Sequence, residues 1–229
     1  MRAFWKQDGV ISLKLRDDLY SLAQMVNSIA KMRFYNIFKA KDEWLGTDFN
    51  QVESLFCVSV GNVVIQRLGV RRVPPKEVTP SSAPCERHFI HLGDNADGYR
   101  LRGEFIWKCG RLADLGEGAQ TVGYQAPTLI PDLTVKEHRE IILQHECTNM
   151  FGDRNVSERL LHYHETGVNR NCLKEAAFPD LVTNDTRPDR QLIRYRAMQY
   201  ECTTNEQRVK LPPGKEDALR AYLNLPPKA

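Results

Sequence analysis

The strongest constraint on this chain is a change of period partway along it. From Val10 to Arg16 the residues alternate, with Ile11, Leu13 and Leu15 on one side and Ser12, Lys14 and Arg16 on the other. That two-residue repeat belongs to a strand. Asp17-Asp18 supplies a turn, and Leu19 to Val26 returns as a second, mostly apolar strand, which together read as a β-hairpin. Met32 to Phe38 has the aromatic composition that packs well on a pleated surface, and Leu55 to Val60 is a short apolar run of strand length. Asn62 to Leu68 fits either a return strand or one or two helical turns. Pro74, Pro75, Pro80 and Pro84 then mark a surface loop. His88–Leu92, Tyr99–Arg102 and Glu104–Cys109 read as further strands, with a polar turn at Asp94–Gly98.

Beyond a Gly-rich stretch that ends at Pro131, the period becomes helical. Thr134-Val135-Lys136-Glu137 is a capping-box pattern, in which Thr134 caps the Glu137 amide and the Glu137 side chain reaches back. It predicts a helix to about Met150. Asn155-Val156-Ser157-Glu158 repeats the logic for a helix ending near Glu165, with Gly167 as its stop. One more turn is expected at Lys174–Phe178, an extended stretch at Gln191–Glu201 and a final helix at Lys215–Leu223. The expected fold is α+β. A twisted antiparallel β-sheet or partial barrel (residues 1–115) precedes a mainly helical part with a late strand (residues 116–229), packed on the sheet.

Composition narrows the function classes. The chain has 229 residues, 41% of them hydrophobic and 27% charged, which is ordinary for a globular protein. Its 32 Lys and Arg against 29 Asp and Glu leave +3, too little for a dedicated nucleic-acid binder. The pairs Arg71-Arg72 and Arg100, Arg102 are the whole basis for a nucleic-acid partner. No apolar run is long enough to span a bilayer, and the first residues lack a signal-peptide pattern. Cys57, Cys85, Cys109, Cys147, Cys172 and Cys202 are dispersed, with no C-x-x-C pair, as in a reduced cytoplasmic protein.

No motif assigns a reaction. Glycine-rich phosphate loops and the G-x-S-x-G elbow are absent, so no cofactor is expected. His138 and His145 are seven residues apart, which on a helix puts them on one face but about 10 Å apart along the axis. His162 and His164 lie on the next expected helix. These four histidines are the candidate ligands for an alternative reading, a metal-dependent hydrolase. Charge is more directive. Residues 113–150 hold only Lys136 and Arg139 against Asp114, Glu117, Asp132, Glu137, Glu140 and Glu146, and these six form a candidate acidic surface for a basic partner.

The N-terminal strands carry a resemblance. Asp8-Gly9-Val10-Ile11-Ser12-Leu13-Lys14-Leu15, the acidic turn and Leu19-Tyr20-Ser21-Leu22-Ala23-Gln24-Met25-Val26 resemble the opening hairpin of the immunity protein 26 family. Phe34-Tyr35-Asn36-Ile37-Phe38, Leu55-Phe56-Cys57-Val58-Ser59-Val60, Leu68-Gly69, Val73-Pro74 and His88-Phe89-Ile90 follow in the same order. The likeness spans roughly residues 8–110. It implies a bacterial immunity protein that binds a cognate toxin domain, such as a nuclease, and blocks its active site or target-binding surface. The family supplies no catalytic residues to carry over.

Overall fold

A computed structural model describes residues 5–28, 30–92, 110–178 and 181. The expected hairpin is β1 (Val10–Arg16) and β2 (Leu19–Met25), with Arg16 opposite Leu19 across the Asp17-Asp18 turn. β3 (Lys31–Lys39) pairs antiparallel with β2, and β5 (Ser54–Val60) pairs antiparallel with β3. The ambiguous stretch after β5 is a helix, α1 (Asn62–Leu68), from which β6 (Gly69–Val73) returns beside β1. Gly69 makes that return possible, because a Cβ there would lie 2.4 Å from the Ile65 carbonyl oxygen and 2.8 Å from the Ile11 side chain. A short strand from the helical half, β11 (Met150–Phe151), runs parallel to β5 and completes a six-stranded sheet of order β11-β5-β3-β2-β1-β6.

The alternation in β1 holds, but its polar side is not solvated. Ile11 and Leu13 are fully buried, and so is Ser12. The sheet is covered on both faces. On one, Ala23, Met25, Met32, Phe34, Phe56 and Val58 join the main core. On the other, Val10, Leu22, Tyr35 and Val73 pack with Trp44, Phe49 and Val78. That cover comes from the segments carrying β4 (Thr47–Asp48) and β7 (Val78–Thr79), a two-residue parallel pair whose second strand lies inside what the prolines marked as plain loop. Trp44 Nε1 donates to Ser12 Oγ at 3.3 Å and to Asp42, so the buried hydroxyl is satisfied by the residue that covers it. Arg71 clamps the cover from outside, reaching Asp42 at 2.8 Å and Glu77 at 2.7 Å.

A second sheet of three strands sits beside the first. β8 (His88–His91), β9 (Arg111–Asp114) and β10 (Thr128–Ile130) pair antiparallel in the order β10-β9-β8. Helix α2 (Val135–Gln144) is shorter than the expected run to Met150. The residues that follow are taken by β8: Ile90 N donates to Glu146 O at 2.8 Å and Thr148 N to Ile90 O at 2.9 Å. Thr134 Oγ1 accepts from the Glu137 amide as predicted, at 3.3 Å, but the reciprocal acceptor is His138 Nδ1, which takes the Thr134 N–H at 3.2 Å. Helix α3 (Asp153–Thr166) begins two residues before Asn155, whose side chain accepts from the Gly152 N–H at 3.3 Å. Gly167 ends it with φ of 70°, its N–H bonded to Tyr163 O.

α4 (Cys172–Ala177) is capped by Asn171, and Val156, Leu160, Leu173 and Phe178 bury into the main core. The described residues on either side of position 115 therefore share one core, and the fold is α+β with a curled N-terminal sheet. The expected strands at 99–109, the turn at 94–98, the late strand at 191–201 and the helix at 215–223 lie outside the described residues. Among the described residues, no helix is long and apolar enough to cross a membrane.

Trp44 is the largest buried side chain of the second face. Trp44→Ala should lower unfolding stability by about 3–5 kcal/mol in urea titration. A loss below about 1 kcal/mol would mean that the 40–50 segment does not seal the sheet.

Candidate functional sites: a buried thiol and cation cluster and a pinned surface loop

Strand β3 places charge where a sheet interior should be apolar. Met32 and Phe34 enter the main core, so Lys31, Arg33 and Tyr35 face the opposite side. Lys31 and Arg33 are each only 2% exposed. Cys57 of β5 lies directly opposite Arg33 across the strands and is equally buried. The segment 81–89 closes over this group. Gln24 donates to Ser81 O at 3.0 Å and accepts from Ser81 N at 2.9 Å, while Arg33 donates to Ala83 O at 3.0 Å and to Pro84 O. These bonds deliver Cys85 to a position where its Sγ is 3.8 Å from Cys57 Sγ. Glu86 follows, 3.7 Å from the Arg33 guanidinium.

Lys31 is the unusual member. Its Nζ has no hydrogen-bond partner among the described residues and sits 3.5 Å from the centre of the Phe89 ring. An ammonium over an aromatic face is attracted to it, but a ring alone does not replace lost hydration. Burial pushes the Lys31 ammonium below its ordinary value, and Cys57, Cys85, Glu86 and Glu146 oppose that shift. The Cys57 thiol hydrogen-bonded to it lowers Cys85, aided by Lys31 and Arg33 against burial. Cys57 itself is raised, by the same contact and by burial. Oxygen and sulfur donors of Cys57, Cys85 and Glu86 lie within 4.8 Å of one another.

A second buried ion network adjoins this one. Arg159 of α3, 6% exposed, forks onto Glu146 at 2.6 and 3.0 Å and lies 3.9 Å from the Phe56 ring centre. Asn169 accepts from Arg159 Nε, and Asn171 donates to Glu146 at 2.7 Å. Burial works to raise the Glu146 carboxyl, and Arg159 overrides it, holding the group at about 2. Next to it, burial pushes the Cys147 thiol up to about 12, so it is inert.

The Gly-rich stretch 115–133 is an ordered loop that ends in strand β10 and its turn. Leu115, Ala119 and Ala126 bury against Phe89 and Ala113. Asn27 donates to Gly118 O at 3.0 Å, and Arg111 donates to Gly123 O at 2.8 Å and Ala126 O at 2.9 Å. Gly123 has no room for a side chain, since a Cβ would come within 2.7 Å of His91 and 2.8 Å of Thr148. Outward, the loop shows Val122, Tyr124 at 62% exposure and Leu129.

Residues 1–183 match the family described as a domain of unknown function, DUF8309. The chain belongs to that family. The match covers both sheets and all described helices, so the DUF8309 unit includes both clusters. No curated protein and no solved structure matches the chain.

The six acidic candidates of this DUF8309 chain divide. Glu117, Asp132, Glu137 and Glu140 are exposed. Asp114 is paired bidentately with Arg87, whose guanidinium holds its carboxyl at about 2. Glu146 is the half-buried partner of Arg159, its carboxylate already taken up by that pair. The four histidines do not assemble. His138 sits at a kink in α2, occupied by the Thr134 amide. His145 lies past the helix end with its ring edge-on to His88 at 5.9 Å, and His164 packs on Phe38 at 4.8 Å. Among the described residues the metal-distance group of three is Cys57, Cys85 and Glu86, with no histidine in it. Arg71 is likewise held by Asp42 and Glu77, while Arg100 and Arg102 lie outside the described residues.

Glu146 has a folded value below its ordinary 4.5, so its contribution is complete above pH 4.5 and is lost as pH falls through about 2. Glu146→Gln should cost about 3 kcal/mol at pH 7, by stranding Arg159, and the gap to wild type should close to under about 1 kcal/mol near pH 2. A gap independent of pH would contradict the ion pair.

Proposed function

We propose that this protein is a cytoplasmic bacterial immunity protein, which binds a cognate toxin domain and occludes its active site or target-binding surface. The observation that carries the reading is the 115–133 loop. Its inner residues are buried and its backbone is tied down by Asn27 and Arg111, while Val122, Tyr124 and Leu129 face outward. Single exposed apolar residues are common on any surface. Three of them within eight residues on a fixed backbone present contact area without an ordering cost on binding. Tyrosine is also a residue that tends to dominate interface energetics.

Charge selects the partner. No lysine or arginine occurs between Leu112 and Val135, and the exposed carboxylates Glu117, Asp132, Glu137 and Glu140 stand along this loop and the start of α2. A basic cleft, such as a nuclease uses to hold phosphates, is the complementary surface. The segments that carry the resemblance to immunity protein 26 are the ones that form β1, β2, β3, β5, β6 and β8. The mechanism needs no chemistry from this chain, only steric exclusion and carboxylates standing in for an anionic substrate.

Where a toxin domain is encoded beside this gene, its co-expression with this chain should restore growth and yield a stable complex. Persistent toxicity without co-purification would sink the proposal. Within a complex, Glu137→Lys with Glu140→Lys should slow association about tenfold at low salt, and Tyr124→Ala should weaken binding by about 2 kcal/mol. Unaltered kinetics in both variants would move the contact to another face.

A further inference from the structure

Independently of any partner, the buried cluster on β3 and β5 has a chemistry of its own. Two fixed cations, Lys31 and Arg33, face one carboxylate, Glu86, and two thiols. With both thiols protonated, the group keeps an excess positive charge in a largely buried site, on a lysine that has no hydrogen-bond acceptor among the described residues. One thiolate balances it. The two sulfurs differ in access: Cys57 is 2% exposed, whereas Cys85 lies on the covering segment and is partly open to solvent. One is therefore reachable by a small molecule, and the other waits behind it at 3.8 Å.

We propose that Cys57 and Cys85 are a redox-responsive thiol pair, with Cys85 the attacking thiolate, Cys57 the resolving thiol, Lys31 and Arg33 the groups that stabilise the reduced state, and a glutathione-type disulfide the oxidant. The Cys85 thiolate attacks one sulfur of the oxidant, forming a mixed disulfide and breaking the small-molecule S–S bond. The first glutathione leaves as a thiolate and takes a proton from solvent. Cys57 then gives up its proton and attacks Cys85 Sγ, forming the Cys57–Cys85 disulfide and expelling the second glutathione, which takes that proton. One glutathione disulfide is reduced to two thiols, and two electrons leave the protein.

Oxidation removes the charge that compensates Lys31, so the same cations that make Cys85 reactive also favour the return to the dithiol. That is the character of a labile, reversible bridge rather than a structural one. The bridge would staple the 81–87 segment to β5, adding a covalent tie to those made by Gln24 and Arg33. The donor set of Cys57, Cys85 and Glu86 also has the size of a soft-metal site. The two resident cations weigh against that use, because a dication would have to enter beside them.

The test uses the full chain in anaerobic glutathione buffers, quenched with acid, alkylated and mapped by peptide mass spectrometry. Wild type should pass reversibly between the dithiol and a Cys57–Cys85 disulfide, and under reducing conditions Cys85 should be alkylated at least about tenfold faster than Cys57 or Cys147. Cys57→Ser should instead stop at one glutathione adduct on Cys85. Lys31→Met should slow Cys85 alkylation and shift the equilibrium toward the disulfide, each by about tenfold. Three results would overturn the proposal: a wild type that never forms the disulfide, equal reactivity of Cys85 and Cys147, or uptake of one equivalent of added zinc that protects both thiols. The wild-type measurements stand on their own if a variant fails to fold.

Discussion

Lys31 and Arg33 impose the condition that much of the chain has to meet. A charge taken from water into a protein interior costs several kcal/mol unless acceptors or opposite charges replace its hydration. Here two such charges sit at alternate positions of a strand whose other face carries Met32 and Phe34 into the main core. The strand cannot turn over, because a one-residue slip would drive the cations into that apolar core. Everything laid on the second face near β5 must therefore be polar in the right places. The proline-punctuated segment supplies it: carbonyls of Ala83 and Pro84, the thiol of Cys85, the carboxylate of Glu86 and the ring of Phe89. Proline suits that duty, since it holds an extended path while leaving its carbonyl free to accept.

The Glu146–Arg159 pair applies the same rule to the helical half. Arg159 lies one turn after Val156 and next to Leu160, the apolar contacts of α3, so docking that helix on the sheet carries a guanidinium inside with it. Its bidentate carboxylate comes from Glu146, two residues past the end of α2, whose backbone is already paired to β8. The helix has to stop where it does for the carboxylate to be in place. Asn169 and Asn171 complete the shell, which is what separates a tolerable buried ion pair from a costly one.

Sequence periodicity gave a sound account of the elements and a poor one of their surroundings. The hairpin, β3, β5 and the Gly167 stop follow from alternation and capping, which are local. The burial of Ser12 does not, since it depends on Trp44 arriving from 32 residues away. The helix expected to run to about Met150 stops short for a similar reason, since the backbone after Gln144 pairs with Ile90. Nor could the thiol pair be seen in spacing, because Cys57 and Cys85 lie 28 residues apart and meet through a covering loop. The available signal was the pattern Lys31-Met32-Arg33-Phe34, with cations alternating against core residues in a strand that has sheet on both sides. A solvated face does not need its neighbours to be strands on both edges.

The loop offered for recognition and the thiol cluster are not separate features. Phe89 receives the Lys31 ammonium on its ring and also belongs to the small core formed by Leu115, Ala119 and Ala126 of the loop. Asn27 makes the second connection. Its side-chain oxygen accepts from the Lys31 backbone N–H at 3.0 Å, and its amide nitrogen donates to Gly118 O at 3.0 Å. A change in the charge beside Lys31 therefore acts on a residue whose backbone and ring contacts both lead to the loop. The two features thus share one hydrogen-bonded side chain and one aromatic ring, both held in a close-packed interior.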